Sequence, residues 1–196
     1  MRLFAVAIAL SALLFAACGG GGGGTTNTST TTKPVPAGNL AVLETDAGTI
    51  KVELLPNDSP KTVENFKLLA DSNFYNGLVF HRVQSGFMIQ GGDPNGNGTG
   101  GRTASGQPLP NEINPSSPLY QAGYQRGAVA MANRGRPETG SSQFFIMHQN
   151  YRLPPSYTIF GRVTEGIEVV DKIATAPTSA PERPAVPVVM RKVYIQ

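Results

Sequence analysis

Phe80-His81-Arg82-Val83-Gln84-Ser85-Gly86-Phe87-Met88-Ile89-Gln90-Gly91-Gly92-Asp93 is the stretch on which the reading of this chain turns. Between Arg82 and Gln90 it gathers the guanidinium of Arg82, the large apolar side chains of Phe87 and Met88, and the amide of Gln90. These groups suit gripping a peptide at a ring-shaped apolar residue, and none of them is equipped to cut it. The apolar pattern predicts short strands at Leu78–Val83 and Phe87–Gln90. On a regular strand, Phe87 and Ile89 face one way and Met88 and Gln90 the other.

Outward from this stretch, the chain reads as a series of short strands with two helices. Ala41–Thr45 and Thr49–Leu55 form a predicted hairpin, with Asp46-Ala47-Gly48 as its turn. Ser59-Pro60 supplies an N-cap and a proline at the first helical position. Val63, Phe66, Leu69 and Ala70 share one face of the helix that follows. The run from Gly91 to Gln125 is dominated by Gly, Pro, Asn and Ser and reads as extended loops. Strands resume at Gly127–Met131, Gln143–Met147 and Thr158–Val163. Thr164 is placed to cap a second helix with Ile167, Val170, Ile173 and Ala174 on one face. Val186–Ile195 reads as the last strand. The fold class is mainly β, an antiparallel barrel with its ends covered, although composition alone does not separate a barrel from a sandwich.

A second block, Gly127 to Met147, reads Gly-Ala-Val-Ala-Met-Ala-Asn and, after an interval, Ser-Ser-Gln-Phe-Phe-Ile-Met. The two blocks together, in this order and at this spacing, resemble the cyclophilin family of peptidyl-prolyl cis-trans isomerases. The resemblance covers about Leu40 to Gln196. It implies a closed eight-stranded antiparallel β-barrel capped by two α-helices. It also implies isomerisation of X–Pro bonds in unfolded or exported proteins, with Arg82 as the catalytic residue. Phe87, Met88, Phe145 and Leu153 match the family positions that line the proline pocket. Gln90 and Gln143 match amides that hydrogen-bond the substrate backbone and steady the arginine. Ala132 and Asn133 match the edge along which the residues before the proline lie extended. Tyr157 stands where many members have His, and Arg152 where many carry Trp. Arg134 replaces a small residue and is expected to favour acidic residues upstream of the proline. For Phe87, Met88 and Gln90 all to reach one substrate, the chain has to bend between Gly86 and Gly91.

The implied chemistry needs no nucleophile, proton shuttle, metal or cofactor. Amide resonance sets a barrier of about 18–20 kcal/mol, and uncatalysed X–Pro turnover takes tens to hundreds of seconds. A fixed donor aimed at the prolyl nitrogen of the twisted amide lowers that barrier. The guanidinium of Arg82, permanently charged and planar, is such a donor. The same groove in a non-catalytic chaperone or scaffold is the alternative reading. Gly91 to Gly101 has the composition of a phosphate-binding loop but lacks its Gly-Lys-Ser/Thr ending. His81 and His148 have no neighbours at metal-site spacing.

The chain has 196 residues with a net charge of +3 and no Lys/Arg run, which argues against nucleic acid as a partner. The expected partners are proline-containing polypeptide segments, bound by a monomer. Residues 1–17 read as a signal peptide, with Arg2 ahead of an apolar run. That run is shorter than the roughly 20 residues a spanning helix needs. Cys18, the single cysteine, follows Leu14-Phe15-Ala16-Ala17, which looks like a bacterial lipobox. The expectation is an exported lipoprotein on the outer face of a bacterial membrane, with lipid attachment at Cys18, or a secreted protein if the lipobox is not used. Residues 18–38, rich in Gly and Thr, read as a flexible linker. The isomerase-like domain is expected over 39–196.

Overall fold

The computed structural model describes residues 33–196. The signal peptide, Cys18 and the linker as far as residue 32 lie outside the described residues. Within the last part of the expected linker, Lys33 pairs with Asp71, and the carbonyl of Pro36 accepts a bond from Lys67 at 3.3 Å.

β1 (Leu40–Thr45) and β2 (Gly48–Leu54) form the hairpin, with Thr45 paired to Gly48. Along β2, Ile50, Val52 and Leu54 are buried, and the residues between them point the other way. Gly48 adopts φ +139°, and a Cβ there would lie 2.7 Å from Val169. Only glycine allows the hairpin to pack that closely.

α1 (Pro60–Asp71) puts Val63, Phe66, Leu69 and Ala70 into the core. Ser59 occupies the N-cap, but its side chain caps nothing; its hydroxyl donates back to the Leu55 carbonyl at 3.2 Å. The exposed helix N–H groups are met by Glu112, whose carboxylate accepts from Lys61 N at 2.9 Å and Thr62 N at 2.8 Å. A carboxylate at this end of a helix also meets the positive pole of its dipole.

The remaining elements are β3 (Arg82–Gln84), β4 (Met88–Gly91), the one-turn α2 (Pro118–Gln121), β5 (Ala128–Met131), β6 (Phe144–Met147), β7 (Ile159–Glu165), α3 (Ile167–Ala174), β8 (Thr178–Ala180), β9 (Arg183–Pro184) and β10 (Met190–Ile195). Eight strands form one antiparallel sheet in the order β10-β1-β2-β7-β5-β6-β4-β3. β8 and β9 form a separate small hairpin. α3 starts at Gly166 with φ +83°, not at Thr164, which still belongs to β7.

The expected closed barrel is corrected to an open, curled sheet. β3 and β10 do not pair as strands. The segments before them touch through one bridge, Val79 to Val189, with bonds from Phe80 N to the Val188 carbonyl (3.1 Å) and Met190 N to the Leu78 carbonyl (2.8 Å). Pro187 has no N–H to give to a ladder. The last strand therefore starts at Met190, not Val186. β3 meets the small hairpin instead, through Val83 N and the Glu182 carbonyl at 2.6 Å.

The concave face of the sheet and one face each of α1 and α3 enclose the main core. Phe66 sits at its centre, with ring centroids 5.0 Å from Tyr75, 5.3 Å from Phe160 and 5.7 Å from Phe144. A Phe66→Ala substitution removes all three contacts and leaves a cavity. It is expected to cost about 3–5 kcal/mol, read as a lower urea midpoint at unchanged slope; a loss under 1 kcal/mol would contradict this placement of the core.

Candidate active site

The register of three strands builds the site. β4 pairs Gln90 with Phe145 and Met88 with Met147, and β5 pairs Ala130 with Phe145. Ile89, Ile146 and Val129 turn into the main core. Met88, Phe145, Met147 and Ala130 turn to the opposite face and form a second apolar cluster with Tyr124 and Ile159. A cleft of about 260 Å³ opens above that cluster. It is lined by Arg82, Phe87, Met88 and Gln90 on one side and by Ala132, Asn133, Phe145 and Tyr157 on the other. A larger cavity of about 340 Å³ lies beside α1, lined by Lys61, Leu68 and Pro108 among others. Size alone does not pick out the site; the convergence of a cation, amides and aromatic rings does.

Phe87 reaches the cleft because it is not on a strand. Ser85–Phe87 form a turn, with Gly86 at φ +81° and Phe87 N bonded to the Gln84 carbonyl at 3.0 Å. β4 begins one residue later. The bend is therefore at Gly86 alone, while Gly91 continues the strand. His148 holds this turn. Its Nδ1 accepts from Gly86 N at 2.9 Å, and its backbone N–H donates to the Phe87 carbonyl at 2.8 Å. The accepting Nδ1 leaves the proton on Nε2, which faces Asp171 at 3.2 Å. Asp171 is gripped by Arg126 through bonds of 2.6 and 2.7 Å, which hold its carboxyl below the ordinary aspartate pKa.

Arg82 is held from two sides. Glu182 accepts from its Nε at 2.6 Å and from Nη2 at 3.2 Å. Gln90 and Gln84 accept from Nη1 and Nη2 at 3.5 Å each. The hydrogen bonds from Arg82 keep the Glu182 carboxyl below its ordinary pKa. Gln90 in turn donates from Nε2 to the side-chain Oε1 of Gln143 at 2.9 Å, and Gln143 Nε2 donates to the carbonyls of Gly98 (3.1 Å) and Gly100 (2.7 Å). Gln143 lies not in the cleft but in an adjoining cavity of about 150 Å³, with Gln90, Arg134 and Thr139. The glycine-rich loop supplying those carbonyls is organised by Asp93. Burial works against its ionisation, but the N–H groups of Asn95, Asn97 and Gly98 outweigh burial and keep its pKa low.

The far wall is aromatic. Tyr157 stands edge-on to Phe145 at 5.3 Å. Its backbone is pinned by Tyr124, whose hydroxyl donates to the Tyr157 carbonyl at 2.9 Å and accepts from its N–H at 3.0 Å. Burial pushes the Tyr124 hydroxyl up to about 12. Leu153 packs against the cluster below without lining the cleft. Tyr151, exposed, leans on Phe87 with ring centroids 4.6 Å apart. The Asn133 side chain is occupied, donating to the Ser156 carbonyl at 2.8 Å. Among the described residues, its backbone N–H and C=O have no partner, so a peptide could pair there. Glu182, His148, Tyr124 and Tyr151 were not singled out from sequence. Glu182 and His148 lie 100 and 62 residues from the groups they hold, so no local pattern announces them. No grouping of three or more His, Cys, Asp or Glu among the described residues is placed to hold a metal ion.

Residues 40–195 match the family described as cyclophilin type peptidyl-prolyl cis-trans isomerase/CLD. The chain is 43% identical over 154 residues to a peptidyl-prolyl cis-trans isomerase-like 1 of Neurospora crassa, covering 78% of this chain and 91% of that protein. It is 44% identical over 138 residues to human peptidyl-prolyl cis-trans isomerase-like 3, covering 70% of this chain and 83% of that protein. A crystal structure of a Cryptosporidium parvum cyclophilin type isomerase superposes with a TM-score of 0.75 at 32% identity, covering 81% of this chain and 98% of that one. These relatives correct the expected localisation. They are eukaryotic isomerase-like proteins, not bacterial lipoproteins. The lipobox reading rested on a few residues around Cys18, outside the described structure, whereas the match extends over more than 150. By the extent of this match the chain belongs to the cyclophilin-type peptidyl-prolyl cis-trans isomerase family.

Proposed function

We propose that this chain accelerates the cis–trans isomerisation of X–Pro bonds in proline-containing polypeptide segments, by non-covalent stabilisation of the twisted amide. The proline ring sits among Phe87, Met88 and Phe145, with Leu153 supporting the floor and Tyr157 closing the far side. The residues before the proline lie extended along Ala132 and Asn133, paired by main-chain hydrogen bonds. Gln90, backed by Gln143, binds the substrate backbone beside the arginine. Arg82 donates to the prolyl nitrogen as that atom leaves conjugation and regains its lone pair. No bond is made or broken, so no cofactor or metal enters.

The single observation carrying this reading is the convergence of Arg82 with the apolar side chains of Phe87, Met88 and Phe145 in one cleft, beside a backbone at Asn133 that has no partner among the described residues. The Cryptosporidium parvum isomerase was also solved in the presence of the dipeptide Ala-Pro, with a TM-score of 0.74 to this chain. That is the class of ligand the cleft suits. Arg134 borders the adjoining cavity and is exposed, so its charge is available to a residue upstream of the proline.

In a coupled prolyl-isomerisation assay on the purified chain, Arg82→Ala is expected to lower kcat about 100- to 1,000-fold, the loss typical of one preorganised donor. Peptide binding should survive. Binding by the wild type without turnover would instead identify a non-catalytic chaperone or scaffold. Test peptides with an acidic residue upstream of the proline should be turned over about twofold to fivefold better than neutral ones, as expected of one exposed charge pair. Arg134→Ala should erase that ratio; equal turnover of both peptides by the wild type removes the idea.

The rate should be nearly flat between pH 5 and 8. No histidine lines the cleft. His81, next to Arg82, has its pKa pushed below the ordinary histidine value by burial, so it stays neutral at pH 7. The Glu182 carboxyl lies below its ordinary value. Its pairing with Arg82 is therefore complete above the unfolded glutamate range and is lost only as pH falls through the lowered value. An inflection near pH 6.5 would contradict the flat profile.

A further inference from the structure

We infer that Glu182 is a positioning residue for this isomerase, fixing the guanidinium of Arg82 so that one N–H faces the cleft. The inference rests on the role proposed above for Arg82. Arginine has five N–H groups. Glu182 takes one on Nε (2.6 Å) and one on Nη2 (3.2 Å), and Gln84 takes the other on Nη2 at 3.5 Å. Gln90 takes one on Nη1 at 3.5 Å. One N–H on Nη1 is left without a partner among the described residues, and Arg82 is one of the residues that line the cleft. The two short bonds are both to Glu182. Without them, Arg82 keeps two long contacts to neutral amides and the Phe87 ring 6.0 Å from its Cζ, and a long flexible side chain is not fixed by those.

The backbone of Glu182 gives an independent sign. It occupies the tip of the β8–β9 hairpin at φ +62°, a left-handed conformation that glycine adopts freely and glutamate does not. Strain of this kind is informative about function when it is observed rather than assumed. Here the strained residue aims its carboxylate at the one cation of the cleft. The hairpin does not need that carboxylate to stay in place. Its main-chain anchor is separate, the Glu182 carbonyl accepting from Val83 N at 2.6 Å. The hairpin thus fixes β3 with its backbone and Arg82 with its side chain.

The two jobs can be separated by substitution. Glu182→Gly removes the carboxylate and relieves the left-handed backbone, while leaving the carbonyl. Glu182→Gln keeps the size and removes the charge. In the full chain, Glu182→Gly is expected to lower kcat about tenfold, as for a misdirected catalytic group. KM should stay within about twofold, since the ring pocket is untouched. Tm should be unchanged or slightly raised. Glu182→Gln should fall between this variant and the wild type. The Arg82 Nε–H resonance in a ¹⁵N spectrum should be slowly exchanging in the wild type and lost in Glu182→Gly. Wild-type kcat in Glu182→Gly overturns the inference. So does a kcat loss that merely follows a lowered Tm, which would mark a structural role. Arg82→Ala is measured alongside: if it too retains kcat, the proposed mechanism fails, whereas if it alone loses kcat, only the role of Glu182 fails.

Discussion

The period of two along β4, β5 and β6 is the constraint on which the site depends. Each strand gives alternate residues to the main core and to the cleft, so the core determines which side chains the cleft receives. A slip of one residue would exchange Ile89 for Gln90 and Ile146 for Phe145, and both faces would be lost together. The register is fixed from both ends. At one end, His148 ties the Gly86 turn by two bonds. At the other, the Ser142 hydroxyl donates to the Gly92 carbonyl at 2.8 Å, and the buried Tyr75 hydroxyl donates to the Ser142 carbonyl at 3.2 Å. Tyr75 stacks on Phe66, so the packing of α1 reaches the cleft through one aromatic pair.

The polar side of the cleft is a chain of hydrogen bonds running from loop to hairpin. Carbonyls of Gly98 and Gly100 orient Gln143, Gln143 orients Gln90, Gln90 touches Arg82, and Arg82 is gripped by Glu182. Networks of this kind fix direction as well as distance. They also give a reason for the long run from Gly91 to Gln125. Beyond Gly91 it has no strand, yet it is not loose: Asp93 gathers three of its N–H groups, and Asn65 of α1 accepts from Ala104 N while donating to the Ser141 carbonyl, at 2.8 Å each. Irregular backbone here supplies unpaired carbonyls that a regular strand would have spent on its neighbour.

Local patterns in the sequence revealed much of this. Alternation located the strands, Ser59-Pro60 located α1, and Phe80–Asp93 with Gly127–Met147 carried the cleft-lining residues other than Tyr157, and the family. The failures share a physical cause, which is distance along the chain. The cap of α1 comes from Glu112, not from the Ser59 side chain that a local rule selects. The late start of β10 reflects Pro187, whose missing N–H matters only once one knows which strand it would have joined. Phe87 looked like a strand residue needing a bent ladder, because a turn ending at position 87 differs from a strand starting there by only one residue. Leu153 and Gln143 matched the motif, yet they sit beside and behind the cleft, as supports for its floor and its amide.

A salt bridge on the arginine proposed to be catalytic looks at first like a loss, because the carboxylate cancels much of the positive potential the cation would bring. Its effect depends on the reaction. Rotation about an X–Pro bond creates no net charge; it localises a lone pair on a nitrogen that is neutral throughout. A bare cation gains little against such a change beyond what it already gains with the ground-state amide, and equal stabilisation of both states does not raise kcat. What differs between the two states is the direction in which electron density becomes available. A donor fixed along that direction discriminates between them; a mobile charge does not. Pairing Arg82 with Glu182 trades general potential for a defined N–H vector, and under the proposed mechanism, with no net charge at the reacting atoms, that exchange favours catalysis.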